Sequence, residues 1–405
     1  MQKYFIAAAA VVIQLALGGI YAWSSFVPAL ISEYHLTSMQ TQLIFGLTIA
    51  CFTVSMTAAS KVLTVLGPRL TSTIGGALFG AGHLLASQSG GSYLLLLIGI
   101  AGISGIGIGF GYICPMSTSI AWFPQRKGLI TGIVVAGFGA GAVVLSNVVN
   151  AALAAGIDVL PIFGWIGVVY GVVVVAAAQF LSLPKGYEPK ALGRDQNTVS
   201  EDFLRSRAFK LLSAAMFCGT FAGLLVVGNL GPMALIRGAS GQLATWSVAA
   251  FAIGNGLGRL SWGWLFDRYQ QMVLPLSLWA LAVVVTVLTL SGLPMFLFPF
   301  VAGAIGFGFG ANFVVFAATI TQRFGPQGLA RYYPWVFLFY GLAGISGPAM
   351  GGLLFDLSGS YQGAVWLAAI VASFGALLVR GAVTKGNPVK HERAQGWNQN
   401  ATAED

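Results

Sequence analysis

One arginine stands apart from the other charged residues of this 405-residue chain. Arg259 lies within the apolar run 243–266, eight residues before Asp267, which with Arg268 marks the polar end of that run. Eight helical residues correspond to roughly 12 Å, so the guanidinium would lie that far from the polar end. A planar guanidinium suits a carboxylate, which it binds through two parallel hydrogen bonds. The position therefore predicts an anion-binding site in apolar surroundings.

Two structural explanations compete with anion binding at Arg259. The side chain would have to extend to the polar end to keep its charge in water, but the depth is about twice what it comfortably spans. A buried carboxylate would otherwise neutralise it, but none of the eleven acidic residues falls deep in an apolar run. An unpaired charge at that depth costs at least about 2.5 kcal/mol, so such residues usually face a cavity or a partner. We therefore favour the functional interpretation.

Other polar and aromatic residues are candidates for the same site. Asn255 lies one helical turn before Arg259 on the same face, where it would orient the guanidinium, bind a substrate hydroxyl, or make an ordinary interhelical contact. His83 is the only histidine in an apolar run, and a hydrogen-bonded packing role is favoured over a proton carrier. Aromatic residues in Gly-rich or polar settings are candidates for a cavity wall: Tyr21, Tyr112, Phe309, Phe313, Phe337 and Tyr340.

These candidates need a scaffold that places most of the chain in apolar surroundings. Hydrophobic residues make up 57% of the sequence and charged residues only 8%, whereas a soluble domain carries about 25% charged residues. A helix needs about 20 apolar residues to cross roughly 30 Å of hydrocarbon. We predict an all-α integral membrane protein with twelve transmembrane helices near residues 4–31, 41–63, 70–88, 93–121, 129–154, 160–183, 208–232, 243–266, 271–291, 294–321, 331–354 and 361–381.

The charge distribution indicates how these helices are oriented. Lysine and arginine collect in alternate connections, for example at Arg126 and Lys127 and in the segment 185–210. The opposite connections contain Glu33, His35, Asp158, Asp356 and one basic residue, Arg237. The positive-inside rule then places both termini in the cytoplasm. We expect the chain to lie in the cell's inner (plasma) membrane. The net charge of +9 thus reflects topology, and we expect no nucleic-acid partner.

The chain divides into two similar halves. We predict a six-helix bundle over 1–183, a cytoplasmic linker over 184–207, a second bundle over 208–381 and a cytoplasmic tail over 382–405. The run Gly109-Phe110-Gly111 in one half matches Gly308-Phe309-Gly310 in the other, and each precedes a basic turn that contains proline. Internal repeats of this kind are typical of alternating-access transporters, whose substrate site lies between the halves near the midplane.

Several stretches carry a resemblance to a known family. The turn 122–132, followed by Ala136-Gly137-Phe138-Gly139, resembles the fifth-helix signature of the monocarboxylate porters, which include lactate carriers and bacterial oxalate–formate exchangers. The stretch 19–24 resembles their first helix, and Gly258-Arg259 resembles their eighth. Residues 263–269 resemble the loop motif of the wider superfamily. The resemblance covers essentially all twelve predicted helices and implies the major facilitator fold, with two pseudo-symmetric six-helix bundles.

The resemblance also implies roles for individual residues. The family binds its carboxylate through the arginine that matches Arg259. Its cavity positions match Tyr21, Tyr112, Phe138, Phe309, Phe313, Phe337 and Tyr340. Animal lactate carriers have an aspartate at the position of Asn255 and a lysine at that of Ser25, and both belong to their proton-coupling machinery. This chain departs at both positions. The proton-coupling candidates are His83, a tyrosine, and water at the cavity mouth near Glu33 and His35.

The number of cations in the site bears on the substrate. Oxalate exchangers carry a second cation near the position of Tyr340, and this chain has none there. A second carboxylate would then be desolvated without a partner, so a monoanion is expected. We predict proton-coupled symport of small monocarboxylates such as L-lactate or pyruvate, without a cofactor, metal or catalytic residue, by a monomer. The alternatives are an anion exchanger of the oxalate–formate type and, from another class, a membrane carboxylate sensor.

Overall fold

The computed structural model describes residues 2–184, 201–290 and 292–383. All regular elements in these ranges are helices. The α-helices are α1 (Gln2–Leu17), α2 (Val27–Tyr34), α3 (Ser38–Ser87), α4 (Tyr93–Leu96), α5 (Gly105–Trp122), α6 (Lys127–Ala154), α7 (Val159–Ala178), α8 (Glu201–Arg205), α9 (Arg207–Ile236), α10 (Gly241–Tyr269), α11 (Val273–Val287), α12 (Phe298–Ser358) and α13 (Gln362–Val383). Short 3₁₀ turns occupy Pro124–Arg126, Gln270–Met272 and Met295–Leu297.

The described helices are long and apolar enough to cross a membrane twelve times. Ten helical stretches meet that requirement, and two of them, Leu43–Ser87 with 45 residues and Gly241–Val287 with 47, are long enough for two crossings each. At about 1.5 Å per residue each of these two spans roughly 70 Å, about twice the hydrocarbon thickness. The first stretch breaks at Gly67 and the second at the turn Gln270–Met272. The predicted twelve-helix, all-α fold is therefore confirmed.

Two of the turns between crossings depend on a glycine that precedes a proline. Gly67 and Gly325 have φ angles of 74°, in the left-handed region, where a side chain is disfavoured. Pro68 and Pro326 follow them at the first position of the next helical segment, where a missing N–H costs nothing. The chain thereby reverses direction at each of these two glycines, between one helical segment and the next.

The helices pack into two groups that meet along two lines. In the first group α3 packs on α5 and α7, and in the second α12 packs on α9 and α10. Between the groups α6 contacts α10, and α3 contacts α12. The predicted linker 184–207 falls largely outside the described residues, as does the tail 382–405, so the domain boundaries stay a prediction.

Two crossings depart from regular α-helical geometry, which the sequence did not predict. The first run was expected to be one helix over 4–31, but residues Gly18–Ser25 form a 3₁₀ segment between α1 and α2. The fourth crossing contains a π-helical segment, Leu97–Ser104. Runs of 3₁₀ helix longer than three or four residues are uncommon, and both 3₁₀ and π segments inside helices often mark functional places.

The alternating helix directions give the molecule two chemically different ends. One end carries Arg126, Lys127 and Arg268 and is called the basic end below. The other carries Glu33, Asp158 and Asp356 and is called the acidic end. These two names are used below to give directions along the helices.

Close packing of α10 on α12 depends on glycine. A Cβ atom at Gly254 would lie 1.9 Å from the carbonyl oxygen of Gly303. A Cβ atom at Gly256, on the same helix, would meet nothing within 4 Å. The two positions form a matched pair for testing the packing.

We expect Gly254→Ala to lower the thermal unfolding temperature of the detergent-solubilised protein, because overpacking of this kind costs about 1–3 kcal/mol. Gly256→Ala should leave it unchanged or raise it, because alanine favours a helix over glycine by about 0.5–1 kcal/mol. Equal unfolding temperatures for the two variants would contradict the packing described here.

Candidate functional site

Arg259 lies on α10 at the line where the two helix groups meet. Its side chain is only 1% exposed. Its Nε donates a hydrogen bond to Oδ1 of Asn255 at 3.2 Å, and its Nη1 donates to the carbonyl oxygen of Val135, on α6, at 2.5 Å. The ring centroid of Phe313 lies 4.5 Å from its Cζ atom, a cation–π distance. The guanidinium is thus held by groups from both halves of the molecule.

All of these partners are electrically neutral. In the part of the chain that the structure describes, no carboxylate forms an ion pair with Arg259, and its Nη2 has no hydrogen-bond acceptor. Removing a guanidinium from water is costly unless an opposite charge compensates it. The site therefore offers a buried positive charge, with one unused nitrogen, to an anion.

Glycines on α6 make room for this arrangement. A Cβ atom at Gly139 would lie 3.4 Å from Nη1 of Arg259, and one at Gly132 would lie 2.4 Å from the Arg259 carbonyl oxygen. Because both positions are glycine, the α6 backbone lies close enough to offer the Val135 carbonyl. Sequence reasoning could not find Val135, since its contribution comes from the backbone and not from its side chain.

The aromatic residues expected around the cavity form one connected cluster next to Arg259. The ring of Tyr112 lies 5.2 Å from Phe138 and 5.6 Å from Phe337, measured between centroids. Phe313 lies 5.2 Å from both Phe309 and Tyr340. The remaining predicted member, Tyr21, lies 5.6 Å from Phe138. All seven predicted aromatic residues are therefore brought together.

Two further aromatic residues belong to this cluster and were missed from the sequence. Phe52 contacts Tyr112, Phe138 and Phe337 at centroid distances of 5.1–6.0 Å. Tyr333 lies 5.1 Å from Phe337. Phe52 follows Cys51 in an ordinary apolar run, and Tyr333 is next to the basic end of its helix, so neither has the Gly-rich or polar setting used to select candidates.

A tyrosine pair joins the two halves within the cluster. The hydroxyl of Tyr21, on the 3₁₀ segment, is hydrogen-bonded to the hydroxyl of Tyr340, on α12. A hydroxyl both donates and accepts, so each has capacity left for a bound molecule. The cluster thus combines an apolar wall with polar groups and a single cation.

At the basic end the groove between α6 and α10 is closed. The carboxylate of Asp267, at the end of α10, accepts hydrogen bonds from the backbone N–H groups of Gly128 and Leu129, both at 2.8 Å. These groups lie in the first turn of α6, where unpaired N–H donors and the helix dipole favour an anion. A Cβ atom at Gly128 would lie 2.3 Å from the Gly263 carbonyl oxygen, so the backbones are in contact.

Toward the acidic end the facing surfaces of the same two helices are exposed. On α6, Val143 is 44% exposed and Asn150 is exposed. On α10, Val248 is 41% exposed and Thr245 is exposed. These residues continue the helix faces that are buried at Gly132 and Arg259. The groove therefore widens away from Arg259 in the direction of the acidic end.

The sequence matches the family model of the Major Facilitator Superfamily over residues 7–237 and 211–403. The chain belongs to this superfamily. Its members are membrane transporters and not enzymes. The crystal structure of the facilitator FucP in the outward conformation covers 94% of this chain and 99% of its own, with a TM-score of 0.71 at 14% identity, and confirms the fold.

Two curated proteins similar to this chain bear on the family that the sequence predicts. The oxalate:formate antiporter of Oxalobacter formigenes is 25% identical over 355 residues, which cover 86% of this chain and 84% of the relative. Monocarboxylate transporter 11 of Mus musculus is 26% identical over 381 residues, which cover 89% of this chain and 82% of the relative. The resemblance to monocarboxylate porters is confirmed.

The three residues predicted as proton-coupling candidates lie away from the aromatic cluster. His83 lies inside the first helix group, against Ser104 and Phe163. Glu33 and His35 are exposed at the acidic end. Tyr34, between them, donates a hydrogen bond to Asp158 at 2.5 Å. Partial burial raises the pKa of Tyr34 to about 12, and the hydrogen bond and charge of Asp158 act in the same direction, so the phenol keeps its proton at neutral pH.

We expect Asp267→Asn to favour opening of the basic end, because hydrogen bonds to a charged group are worth about 1.5–3 kcal/mol. Closure at the acidic end would follow, so a cysteine at Asn150, in a chain whose three native cysteines are replaced, should react roughly tenfold more slowly with a thiol reagent in detergent.

The exposed carboxylate of Asp356, at the acidic end, provides the matched control for this experiment. Asp356→Asn should leave the labelling rate at position 150 unchanged. Identical rates with and without the Asp267 carboxylate would show that its contact with α6 does not set the conformation.

Proposed function

We propose that this protein transports small monocarboxylates, such as L-lactate or pyruvate, across the plasma membrane in symport with protons. The observation that carries the proposal is the buried Arg259 guanidinium, whose contacts are all neutral and whose Nη2 is unused. A carboxylate matches a guanidinium in shape and hydrogen bonding. Both curated relatives are named for the transport of carboxylates, which supports the same substrate class.

The surroundings of Arg259 favour an anion with a single charge. Phe313, Phe337 and Tyr340 form the wall on the α12 side, where oxalate exchangers have their second cation. A dianion would place its second carboxylate against aromatic rings with only hydroxyl donors available. The desolvation of that charge would go uncompensated. A short chain with one carboxylate and an apolar or hydroxylated remainder suits this wall.

Alternating access would follow from rocking of residues 1–183 against residues 208–381. The basic end carries the excess of lysine and arginine and is assigned to the cytoplasm, with both termini. The groove that widens from Arg259 toward the acidic end then faces outside. In this assignment the Asp267 contact with Gly128 and Leu129 closes the cytoplasmic exit, and it must break before substrate is released inside.

The substrate itself would enable the conformational change. In an empty carrier, closure of the acidic end would cut the uncompensated charge of Arg259 off from the water of the groove, which is costly. A bound carboxylate neutralises that charge, and the pair is less costly to enclose in apolar surroundings. Tight coupling between binding and rocking results from this difference in energy.

The same observation supports a second candidate, an anion exchanger of the oxalate–formate type. If only the loaded carrier changes state, then each anion that enters requires another to leave. Exchange would depend strictly on substrate inside the vesicle, whereas symport would not. A carboxylate sensor of this fold, the candidate from another class, would bind the anion without any flux.

We expect the purified protein in liposomes to take up labelled L-lactate and to accumulate it when an inward proton gradient is imposed. Arg259→Ala should abolish uptake, and Arg259→Lys should reduce it at least tenfold because an ammonium lacks the planar fork. Arg268, an exposed arginine at the end of the same helix, supplies the control, and Arg268→Gln should transport normally.

Each other result selects a different function. Uptake that requires internal substrate and ignores the proton gradient would favour exchange. Binding without flux would favour the sensor. Normal transport by Arg259→Ala would overturn the proposal, and tight, saturable oxalate transport would overturn its restriction to monoanions.

We expect Asn255→Asp to raise the KM for lactate at least tenfold. The Asn255 oxygen lies 3.2 Å from Nε of Arg259, so a carboxylate there would pair with the guanidinium and compete with the substrate. Asn255→Ala, which removes the orienting hydrogen bond without adding a charge, should have a smaller effect. An Asn255→Asp variant with the KM of the wild type would contradict this role for the neutral amide.

A further inference from the structure

A small cavity lies inside the first helix group, apart from the Arg259 site. Its volume is about 20 Å³, room for one water molecule. Residues of the 3₁₀ segment, α3, the π segment and α7 line it, among them Gly19, Trp23, Thr48, His83 and Ser104. His83 is the one residue with an ionisable side chain among those that line it.

His83 is held there by a three-part hydrogen-bond arrangement. Its Nδ1 lies 2.9 Å from Oγ of Ser104 and 3.0 Å from the carbonyl oxygen of Phe79. The Ser104 hydroxyl also lies within donating distance of the Phe79 carbonyl, at 3.0 Å. The ring packs on Phe79 at a centroid distance of 4.3 Å. The imidazole orientation is therefore fixed from three directions.

This arrangement satisfies His83 with or without a proton on Nδ1. In the neutral form the Ser104 hydroxyl donates to the Nδ1 lone pair. In the imidazolium form Nδ1–H donates to the Ser104 oxygen or to the Phe79 carbonyl, and the Ser104 hydroxyl donates to that carbonyl instead. Rotation of one hydroxyl thus exchanges the two arrangements and keeps Nδ1 hydrogen-bonded in both.

Both crossings that lose α-helical geometry lie against this cavity. The 3₁₀ segment Gly18–Ser25 contributes Gly19, Ile20 and Trp23, and the π segment Leu97–Ser104 contributes Ile100 and Ser104. The same 3₁₀ segment carries Tyr21, which is bonded to Tyr340 in the other half. A change of charge at His83 therefore acts directly on the segment that joins the cavity to the substrate site.

Three other titratable groups lie around the cavity. Tyr170, on α7, lies beside Gly19, and Cys51, on α3, lies beside Gly105. Asp158, which caps α7, stands five residues before Phe163 on the side of the acidic end. A proton that enters from the acidic end would pass this carboxylate before it reached the imidazole.

We infer that His83, with Ser104 and a water molecule in the adjoining cavity, is the proton-binding site of the transport cycle. The inference rests on the proposed symport function. A proton from the water at the acidic end would add to the Nδ1 lone pair of His83, which the Ser104 hydroxyl releases by turning to the Phe79 carbonyl. The proton leaves from the same nitrogen after the change of access. The site binds the proton apart from the substrate, whose carboxylate stays on Arg259.

Transport by His83→Gln in liposomes tests the inference. A one-unit proton gradient stores about 1.4 kcal/mol per proton and supports about tenfold accumulation by one-to-one symport. We expect His83→Gln to lose this accumulation, to a ratio near one, while lactate counterflow between two sides of equal pH persists. His35→Gln, which alters an exposed histidine of the acidic end, should retain both activities.

The two readouts separate failure of the inference from failure of the proposed function. Full accumulation by His83→Gln would overturn the proton site and leave the carboxylate site intact. Absence of lactate transport by the wild-type protein would overturn the proposed function. Loss of counterflow together with accumulation in His83→Gln would leave the decision to a measurement on unaltered His83.

That measurement is ¹⁵N nuclear magnetic resonance of labelled histidine. The chain has three histidines, so His35→Gln with His391→Gln leaves His83 as the single signal. We expect its Nδ1 resonance to convert from the unprotonated to the protonated position as the pH is lowered from about 8 to about 5. A single neutral tautomer across that range would overturn the inference.

Discussion

The architecture depends on one unneutralised guanidinium in the middle of an apolar fold. Arg259 is fully buried, and it is bound by an amide oxygen, a backbone carbonyl and an aromatic ring, one of them from the opposite half of the molecule. Neutral partners satisfy hydrogen bonds but leave the charge in place. Because a buried charge without a counterion is costly, the protein keeps a large electrostatic energy available for a bound anion. The aromatic cluster, the groove and the contact at the basic end are all arranged around that charge.

The contact between α6 and α10 shows how the fold brings the charge to the interface. Gly132 and Gly139 on α6 allow the two backbones to approach at the level of Arg259, and Gly128 and Gly263 do the same at the basic end. Packing of small residues allows close approach of helices in a membrane, where no hydrophobic force drives helices together. In the proposed alternating-access cycle, the same lack of side chains would let one surface move against the other without interlocked groups that must first separate.

Much of the fold and the position of the site could be predicted from the sequence, because both follow from the cost of placing charge in hydrocarbon. Twelve crossings and the special position of Arg259 both follow from that rule. The carbonyl of Val135 could not be predicted, because a backbone acceptor leaves no signal in residue type. Phe52 and Tyr333 were missed because their neighbours in sequence are ordinary. The 3₁₀ and π segments arise from packing between distant helices, so local sequence patterns do not reveal them.

The contact at the basic end is chemically unequal on its two sides. Its acceptor is the Asp267 side chain, while its donors are the main-chain N–H groups of Gly128 and Leu129. Any residue except proline at position 129 would still supply its donor, and position 128 must stay glycine because a Cβ atom there would lie 2.3 Å from the Gly263 carbonyl oxygen. Natural variation can therefore change the strength of this contact in graded steps through residue 267 alone. Descendants of this chain would adapt their preference for one open state through the second half, while the donor side stays chemically constant.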